Sequence, residues 1–238
     1  PGNAKAKLFY ANFLHTIAGR TDDAIQTLKH GLEYLAIDDS LTRDYLERYF
    51  QLLQLRERDE EVIDQSLKLL KDTKNVPAHT RESLALAAAT SLYWVGKYPD
   101  SVNLININGL DTQPKGLLLK ARALFEGGKT QESITLLETK ISSFKGTARD
   151  AVLSQLARFH ILLGQHKLAL GVTQERISAD DKAPFPHVQK LQLLDRLGLK
   201  DDYDKELRLI FANYADSSAP MIALANFAAE KGYSDLTS

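Results

Sequence analysis

Apolar residues in the first 37 positions recur with the spacing of two amphipathic helices joined by a short polar turn. The first set comprises Leu8, Phe9, Ala11, Phe13, Leu14 and Ile17, and the second comprises Ala24, Ile25, Leu28, Leu32 and Leu35. Steps of three and four residues place side chains on one face of a helix. Gly19 lies between the sets, where a glycine commonly ends a helix, and Thr21 is the expected cap of the next helix. The stretch 7–37 is therefore predicted to form an αα-hairpin.

The same hairpin pattern recurs along the whole chain. The turn positions equivalent to Gly19 are Glu57, Gly96, Gly128, Gly164, Gly198 and Gly232. Small residues also recur at fixed distances from each turn. Ala89 and Ala121 lie seven residues before a turn, and Ser101 and Ser133 lie five residues after one. Because small side chains let helices approach closely, these positions predict tight packing within each pair.

These positions resemble the tetratricopeptide (TPR) family, whose helix pairs repeat about every 34 residues. The third pair matches best, with Ala89, Leu92, Gly96, Tyr98 and Ser101. The tryptophan that the family carries in its first helix is absent throughout, since Trp94 directly precedes a turn. The resemblance implies an all-α fold, a right-handed superhelical solenoid of about six to seven TPR-like helix pairs.

The helix-pair period divides the chain into one array without a second domain. The predicted repeats are 3–37, 41–75, 78–111, 112–146, 147–181, 182–215 and an incomplete 216–238. Terminal repeats of a solenoid usually carry a polar outer face. Neither end of this sequence has one, and Pro1 reads as the closing proline of a preceding repeat. We therefore expect the chain to be a segment of a longer array.

Composition and motifs favour a binding protein over an enzyme. The 238 residues carry 30 basic and 31 acidic side chains, so the near-neutral charge indicates no nucleic-acid partner. The chain has no cysteine, and no uncharged run is long enough for a membrane span. The run 127–130 resembles the end of a phosphate-binding loop but lacks its first glycine, because position 123 is Ala123. The six histidines are expected at the surface or in the groove. We expect no catalytic residues, cofactor or metal.

In the TPR family the first helix of each pair lines a concave groove, and this resemblance implies a partner-binding surface here. The groove candidates lie ten, six, three or two residues before a turn position. They are Phe9, Phe13, Tyr93, Trp94, Arg122, Phe125, Arg158, Gln192 and Arg196. Arg122 and Arg158 occupy the same offset in consecutive pairs. Two neighbouring guanidinium groups in one groove would suit an acidic partner.

The leading interpretation is a non-catalytic scaffold that binds another protein. The cysteine-free, degenerate array is similar to the periplasmic TPR regions of bacterial exopolysaccharide export proteins of the Pel, cellulose and alginate types, among which we favour the Pel type. That resemblance implies a periplasmic location, a tether to the outer membrane outside this segment, and a polysaccharide-modifying enzyme as partner. Two alternatives stay open: a cytoplasmic regulatory adaptor, and direct binding of polysaccharide by Tyr93, Trp94 and Phe125.

Overall fold

A computed structural model describes residues 4–37, 39–71 and 76–231. The chain divides into two compact units, Pro1–Ser133 and Ile134–Ser238. Unit 1 contains seven complete α-helices within the described residues. They are α1 (Ala4–Thr16), α2 (Thr21–Leu32), α3 (Ser40–Leu55), α4 (Asp59–Lys71), α5 (Ala78–Trp94), α6 (Tyr98–Ile107) and α7 (Pro114–Glu126).

Helix α8 (Thr130–Lys140) crosses the boundary between the units, and five further helices follow it in unit 2. These are α9 (Gly146–Leu162), α10 (His166–Ala179), α11 (Pro184–Arg196), α12 (Lys200–Tyr214) and α13 (Ser218–Lys231). The part of the chain that the structure describes contains no strand. The all-α class predicted from the sequence is confirmed. In this same part, no helix is both long and apolar enough to cross a bilayer.

Within each unit the helices pack as hairpins, and each hairpin packs on the next. In unit 1, α1 contacts α2, α3 contacts α4, and α5 contacts α6. The second helix of each pair also contacts the first helix of the following pair, so that α2 meets α3 and α4 meets α5. Unit 2 repeats this arrangement from α9 to α12. One hairpin cannot cover its own apolar face, and the neighbouring hairpin covers it instead.

The turns inside the hairpins end with a residue in the left-handed backbone region. Glycine fills this role at five turns, with φ between 66° and 82°. They are Gly19, Gly96, Gly128, Gly164 and Gly198. Glu57 has a φ of 55° and is the only non-glycine residue with a positive φ in the described residues. The turn positions from 19 to 198 are therefore confirmed, whereas Gly232 and Pro1 lie outside the described residues.

Small buried residues bring the two helices of a pair together. The Ser101 hydroxyl donates to the Ala89 carbonyl over 2.8 Å, and the Ser133 hydroxyl donates to the Ala121 carbonyl over 2.7 Å. All four of these residues are buried. The two sets of small positions predicted from the sequence therefore contact each other directly. At this contact each serine satisfies its hydroxyl on a backbone carbonyl of its own pair.

Ion pairs connect consecutive turns along one edge of unit 1. Arg56 Nε donates to Asp22 Oδ1 over 3.2 Å, and Lys97 Nζ lies 3.1 Å from Glu60 Oε1. Asp22 and Glu60 both lie three residues after their turn. The two bridges link the first hairpin to the second and the second to the third. Because these side chains are exposed, each pair contributes at most about 1 kcal/mol.

Two expectations about single residues were wrong. Thr21 is the first residue of α2, and Arg20 occupies the cap position without a side-chain hydrogen bond. The Thr21 hydroxyl instead pairs with His15 Nδ1 at 3.1 Å. His160 and His187 are buried, although surface or groove positions were expected. His187 Nδ1 lies 2.5 Å from the buried carboxylate of Glu206, a partner 19 residues away that local sequence pattern does not indicate.

Candidate functional site

An open groove lies between the first helices of two neighbouring pairs in unit 1. It has a volume of about 210 Å³ and runs between α3 and α5, and Lys115 of α7 also lines it. Six of its lining residues define its chemistry. They are Glu47, Phe50, Gln51, Leu84, Thr90 and Lys115.

The groove has an apolar floor and a polar rim. Phe50 and Leu84 are buried and form part of the floor, where they also belong to the hydrophobic core of unit 1. Gln51 and Lys115 are exposed at the rim, and Thr90 is half-buried. An apolar floor with a few polar groups suits a short segment of another chain better than a free ion.

Hydrogen bonds between α3 and α5 hold the two walls of the groove at a fixed separation. The Ser83 hydroxyl donates to Glu47 Oε1 over 2.7 Å. Gln54 Nε2 donates to the Ser91 hydroxyl over 2.9 Å. The groove is therefore formed before any partner arrives, which lowers the conformational entropy lost on binding.

The sequence prediction missed the α3 wall of this groove. Glu47 and Gln51 lie ten and six residues before Glu57, the offsets that select groove residues in the other pairs. The groove candidates named from the sequence include no α3 residue, although Glu57 was predicted as the turn position of that pair. The backbone of Glu57 shows that the same count applies there.

Most of the predicted site residues in unit 1 are exposed on first helices. Phe9 and Phe13 are exposed on α1, one helical turn apart. Trp94 is exposed at the end of α5, with its ring centroid 5.2 Å from that of the half-buried Tyr93. On α7, Arg122 is exposed and Phe125 is half-buried.

The remaining predicted residues belong to unit 2. Arg158 is exposed on α9, Gln192 is half-buried on α11, and Arg196 is exposed at the end of α11. Arg122 lies in unit 1 and Arg158 in unit 2. Their joint action on one acidic partner therefore stays a prediction.

The described residues include titratable groups with shifted pKa values but no metal-binding cluster. They contain no group of three or more histidine, aspartate or glutamate side chains placed to hold a metal ion. Glu61, near the second turn, accepts hydrogen bonds from Arg58 at 2.5 and 2.8 Å. These bonds lower the pKa of the Glu61 carboxyl below its ordinary value. In unit 2, burial raises the pKa of Tyr214, and the charge of Asp181 adds to this effect.

No family model matches the sequence, and a search of curated proteins also finds no match. Solved structures do match. A tetratricopeptide repeat protein from Parabacteroides merdae ATCC 43184 aligns with 98% of this chain and 89% of its own, with a TM-score of 0.61 and 10% identity. The chain has the TPR fold. At 10% identity this similarity establishes the fold only. The function is inferred from the residues of the groove.

Two other solved structures match this chain more weakly. Bacillus thuringiensis PlcR, crystallised with the peptide PapR7 and DNA, has a TM-score of 0.49 and 15% identity, covering 84% of this chain and 83% of its own. YrrB, a TPR protein with an unusual peptide-binding site, has a TM-score of 0.43 and 13% identity, covering 65% and 79%.

Proposed function

We propose that the chain is a non-catalytic scaffold that binds a segment of another protein in the groove between α3 and α5. The observation that carries this proposal is the preformed groove itself, with Phe50 and Leu84 at its floor and polar side chains at its rim. Apolar side chains of a partner would cover the floor. The amide and hydroxyl groups at the rim would then form hydrogen bonds with the partner's backbone. Protein interfaces commonly have such an apolar centre and polar rim.

The setting we propose is a bacterial exopolysaccharide export complex in the periplasm, in which the scaffold recruits a polymer-modifying enzyme. The support for it is the sequence resemblance to export proteins of the Pel type and the absence of cysteine. A cytoplasmic adaptor is the alternative setting. The identity of the captured partner distinguishes the two.

Site-specific photo-crosslinking tests the scaffold. A photoreactive phenylalanine at Gln51, on the groove rim, is compared with the same residue at Gln26, an exposed position on the second helix α2. After irradiation in an extract of the source organism, we expect one defined protein adduct from position 51 and none from position 26. Equal labelling at both positions, or polysaccharide as the only adduct, would contradict the proposal.

Charge reversal tests the two arginines separately. Arg122→Glu and Arg158→Glu each keep an exposed, charged helix position, so circular dichroism should be unchanged. If both arginines contact one acidic partner, each variant should weaken its capture and the double variant should weaken it further. Capture that is insensitive to both changes would remove the arginines from the interface and leave the α3–α5 groove as the binding site.

A further inference from the structure

Asn108 and Gly109 form the only Asn-Gly sequence in the chain. Asn108 directly follows α6 and is half-buried, and Gly109 is exposed. In such a sequence the glycine backbone nitrogen can attack the asparagine side-chain amide, because glycine has no Cβ that obstructs a close approach. Asn103 and Asn106 lie on the same helix, but each precedes a residue with a bulky branched side chain. The chemistry of spontaneous deamidation therefore points to Asn108.

The fold holds Asn108 in a conformation that blocks this reaction. Its ψ of 3° places the Gly109 nitrogen beside the Asn108 backbone nitrogen, whereas ring closure requires it to lie beside the Asn108 Cβ. The Gly109 nitrogen also donates to the Asn106 carbonyl over 3.2 Å. The side-chain amide donates from Nδ2 to the Leu104 carbonyl over 2.9 Å. In the folded chain both reacting groups are therefore held apart by hydrogen bonds of the helix end.

Opening of the last turn of α6 removes these obstacles. Helix ends fray, and local opening of this kind costs far less free energy than global unfolding. No atom lies within 4 Å of the place where a Cβ on Gly109 would stand, so the surroundings leave this backbone room to rotate. We propose that Asn108 deamidates spontaneously and that opening of the α6 end sets the rate.

The reaction uses water as its co-reactant and involves no oxidation or reduction. The Gly109 nitrogen loses its proton to solvent and forms a bond to Asn108 Cγ, and the side-chain nitrogen takes up a proton and leaves as ammonia. Water then opens the resulting five-membered imide. Cleavage between Cγ and nitrogen gives aspartate at position 108. Cleavage between the backbone carbonyl carbon and nitrogen gives isoaspartate.

Both products weaken the end of α6. A carboxylate cannot donate a hydrogen bond, so the bond to the Leu104 carbonyl is lost. Its charge also lies at the negative end of the helix. Isoaspartate in addition lengthens the main chain by one carbon close to the buried Leu110, whose carbonyl Gly116 of α7 approaches closely. The modification therefore weakens the junction between α6 and α7 irreversibly.

Incubation of the full chain in mildly alkaline buffer, with and without guanidinium chloride, tests the proposal. Peptide mass spectrometry measures conversion of amide to acid at each asparagine, and an isoaspartyl methyltransferase labels isoaspartate. In denaturant we expect Asn108 to react at least tenfold faster than Asn103 and Asn106. In the folded chain Asn108 should react at least tenfold more slowly than in denaturant. Equal rates in the two states would overturn control by the fold, and no conversion of Asn108 in denaturant would overturn the site.

Ile105→Ala distinguishes opening of α6 from loosening of the chain elsewhere. Ile105 is fully buried on α6, and Leu153 is buried on α9 in unit 2. Ile105→Ala should raise the rate at Asn108 in the folded chain at least threefold, whereas Leu153→Ala should leave it unchanged. Circular dichroism confirms that each variant is folded. Equal acceleration by both variants, or by neither, would contradict local opening of α6.

Trp94 is the only tryptophan of the chain, so its fluorescence reports the unfolding of unit 1. Asn108→Asp supplies the charge of the product without the extra main-chain carbon, and it should lower the Trp94 midpoint in denaturant. The isoaspartate form, isolated by ion exchange, should lower it further. Asn103→Asp, at an exposed position within α6, is the control and should change the midpoint less. Unchanged midpoints for both forms at position 108 would overturn the predicted weakening.

Discussion

Glu57 occupies a backbone conformation that glycine occupies at five other turns of this chain. A left-handed conformation costs a residue with a side chain about 1–2 kcal/mol, and glycine avoids this cost. We expect Glu57→Gly to raise the free energy of unfolding by about 1 kcal/mol, measured by urea denaturation.

The reverse change at the third turn is the control for Glu57. A Cβ at Gly96 would meet no atom within 4 Å, so Gly96→Ala would introduce backbone strain without a clash. It should lower the free energy of unfolding by about 1 kcal/mol. If the two substitutions changed stability in the same direction, left-handed strain would not be the cause.

Glu61 should make unfolding depend on pH. Its native pKa is lowered by the hydrogen bonds from Arg58, so the ionised carboxylate stabilises the fold above its unfolded pKa. That contribution is lost as the pH falls through the lowered native pKa. Glu61→Gln should therefore cost about 0.5 kcal/mol at neutral pH, because the pair is partly exposed, and should cost nothing in strong acid.

Urea titrations at several pH values measure this effect. Glu138→Gln is the control, since Glu138 is exposed on α8 and has no ion pair within the described part of the chain. A Glu61→Gln penalty that stays constant into the acid range would show that the carboxylate charge does not stabilise the fold.

At the residue scale, sequence pattern predicts positions that obey local backbone rules. The turn glycines and the small residues Ser101 and Ser133 follow from such rules, because fixed offsets determine what meets across a hairpin. Hydrogen-bond partners that lie on separate helices cannot be predicted from these local rules. Glu47 meets Ser83, and His187 meets Glu206, only after separate helices have packed.

Helices tolerate glycine differently in different surroundings, and α7 and α10 provide a matched pair. A Cβ on Gly116 of α7 would overlap the backbone carbonyl of Leu110, which a side-chain rotation cannot relieve. A Cβ on Gly171 of α10 would meet nothing within 4 Å. We expect Gly116→Ala to destabilise the protein by about 2 kcal/mol, as overpacking does. Gly171→Ala should stabilise it by about 1 kcal/mol through helix propensity.

Thermal unfolding followed by circular dichroism measures both variants. A stabilising Gly116→Ala would show that the short turn at Leu110–Thr112 moves aside without cost.

Helix boundaries are largely predictable here because glycine and proline mark them, as Pro114 and Pro184 do at the first residues of α7 and α11. The close approach at Gly116 was not predictable, since it depends on how a neighbouring turn folds back.

Stability in a repeat array is approximately a sum of local terms between neighbours. Leu191 is fully buried on α11 in unit 2, and Leu191→Ala should cost about 3 kcal/mol by leaving a cavity. We expect this change to lower the helix-unfolding midpoint of the chain measured by circular dichroism. The Trp94 fluorescence midpoint, which reports unit 1, should change little.

Leu53→Ala, at a fully buried position of α3 in unit 1, is the matched control and should lower the Trp94 midpoint. Equal shifts of both midpoints in both variants would instead show one cooperative unit.

At the scale of the whole chain, the repeat period predicts the all-α class. Every hairpin buries its apolar face in the same way, against the neighbouring hairpin. The period does not determine how residues from distant hairpins combine. Arg122 and Arg158 share an offset, yet they belong to different compact units. The sequence therefore predicts which side chains are exposed on first helices, but it does not predict which of them lie together in one site.

The ion pairs between consecutive turns have a consequence for the ancestry of such chains. Asp22 and Glu60 present the same charge at the same position, and the basic residues Arg56 and Lys97 follow them from the next turn. If unequal recombination removed the hairpin α3–α4 from the gene, Lys97 would face Asp22, and opposite charges would still meet. The edge therefore places no charge penalty on losing or duplicating this repeat. Loss or duplication of this one hairpin therefore keeps opposite charges together at the junctions of the first three hairpins.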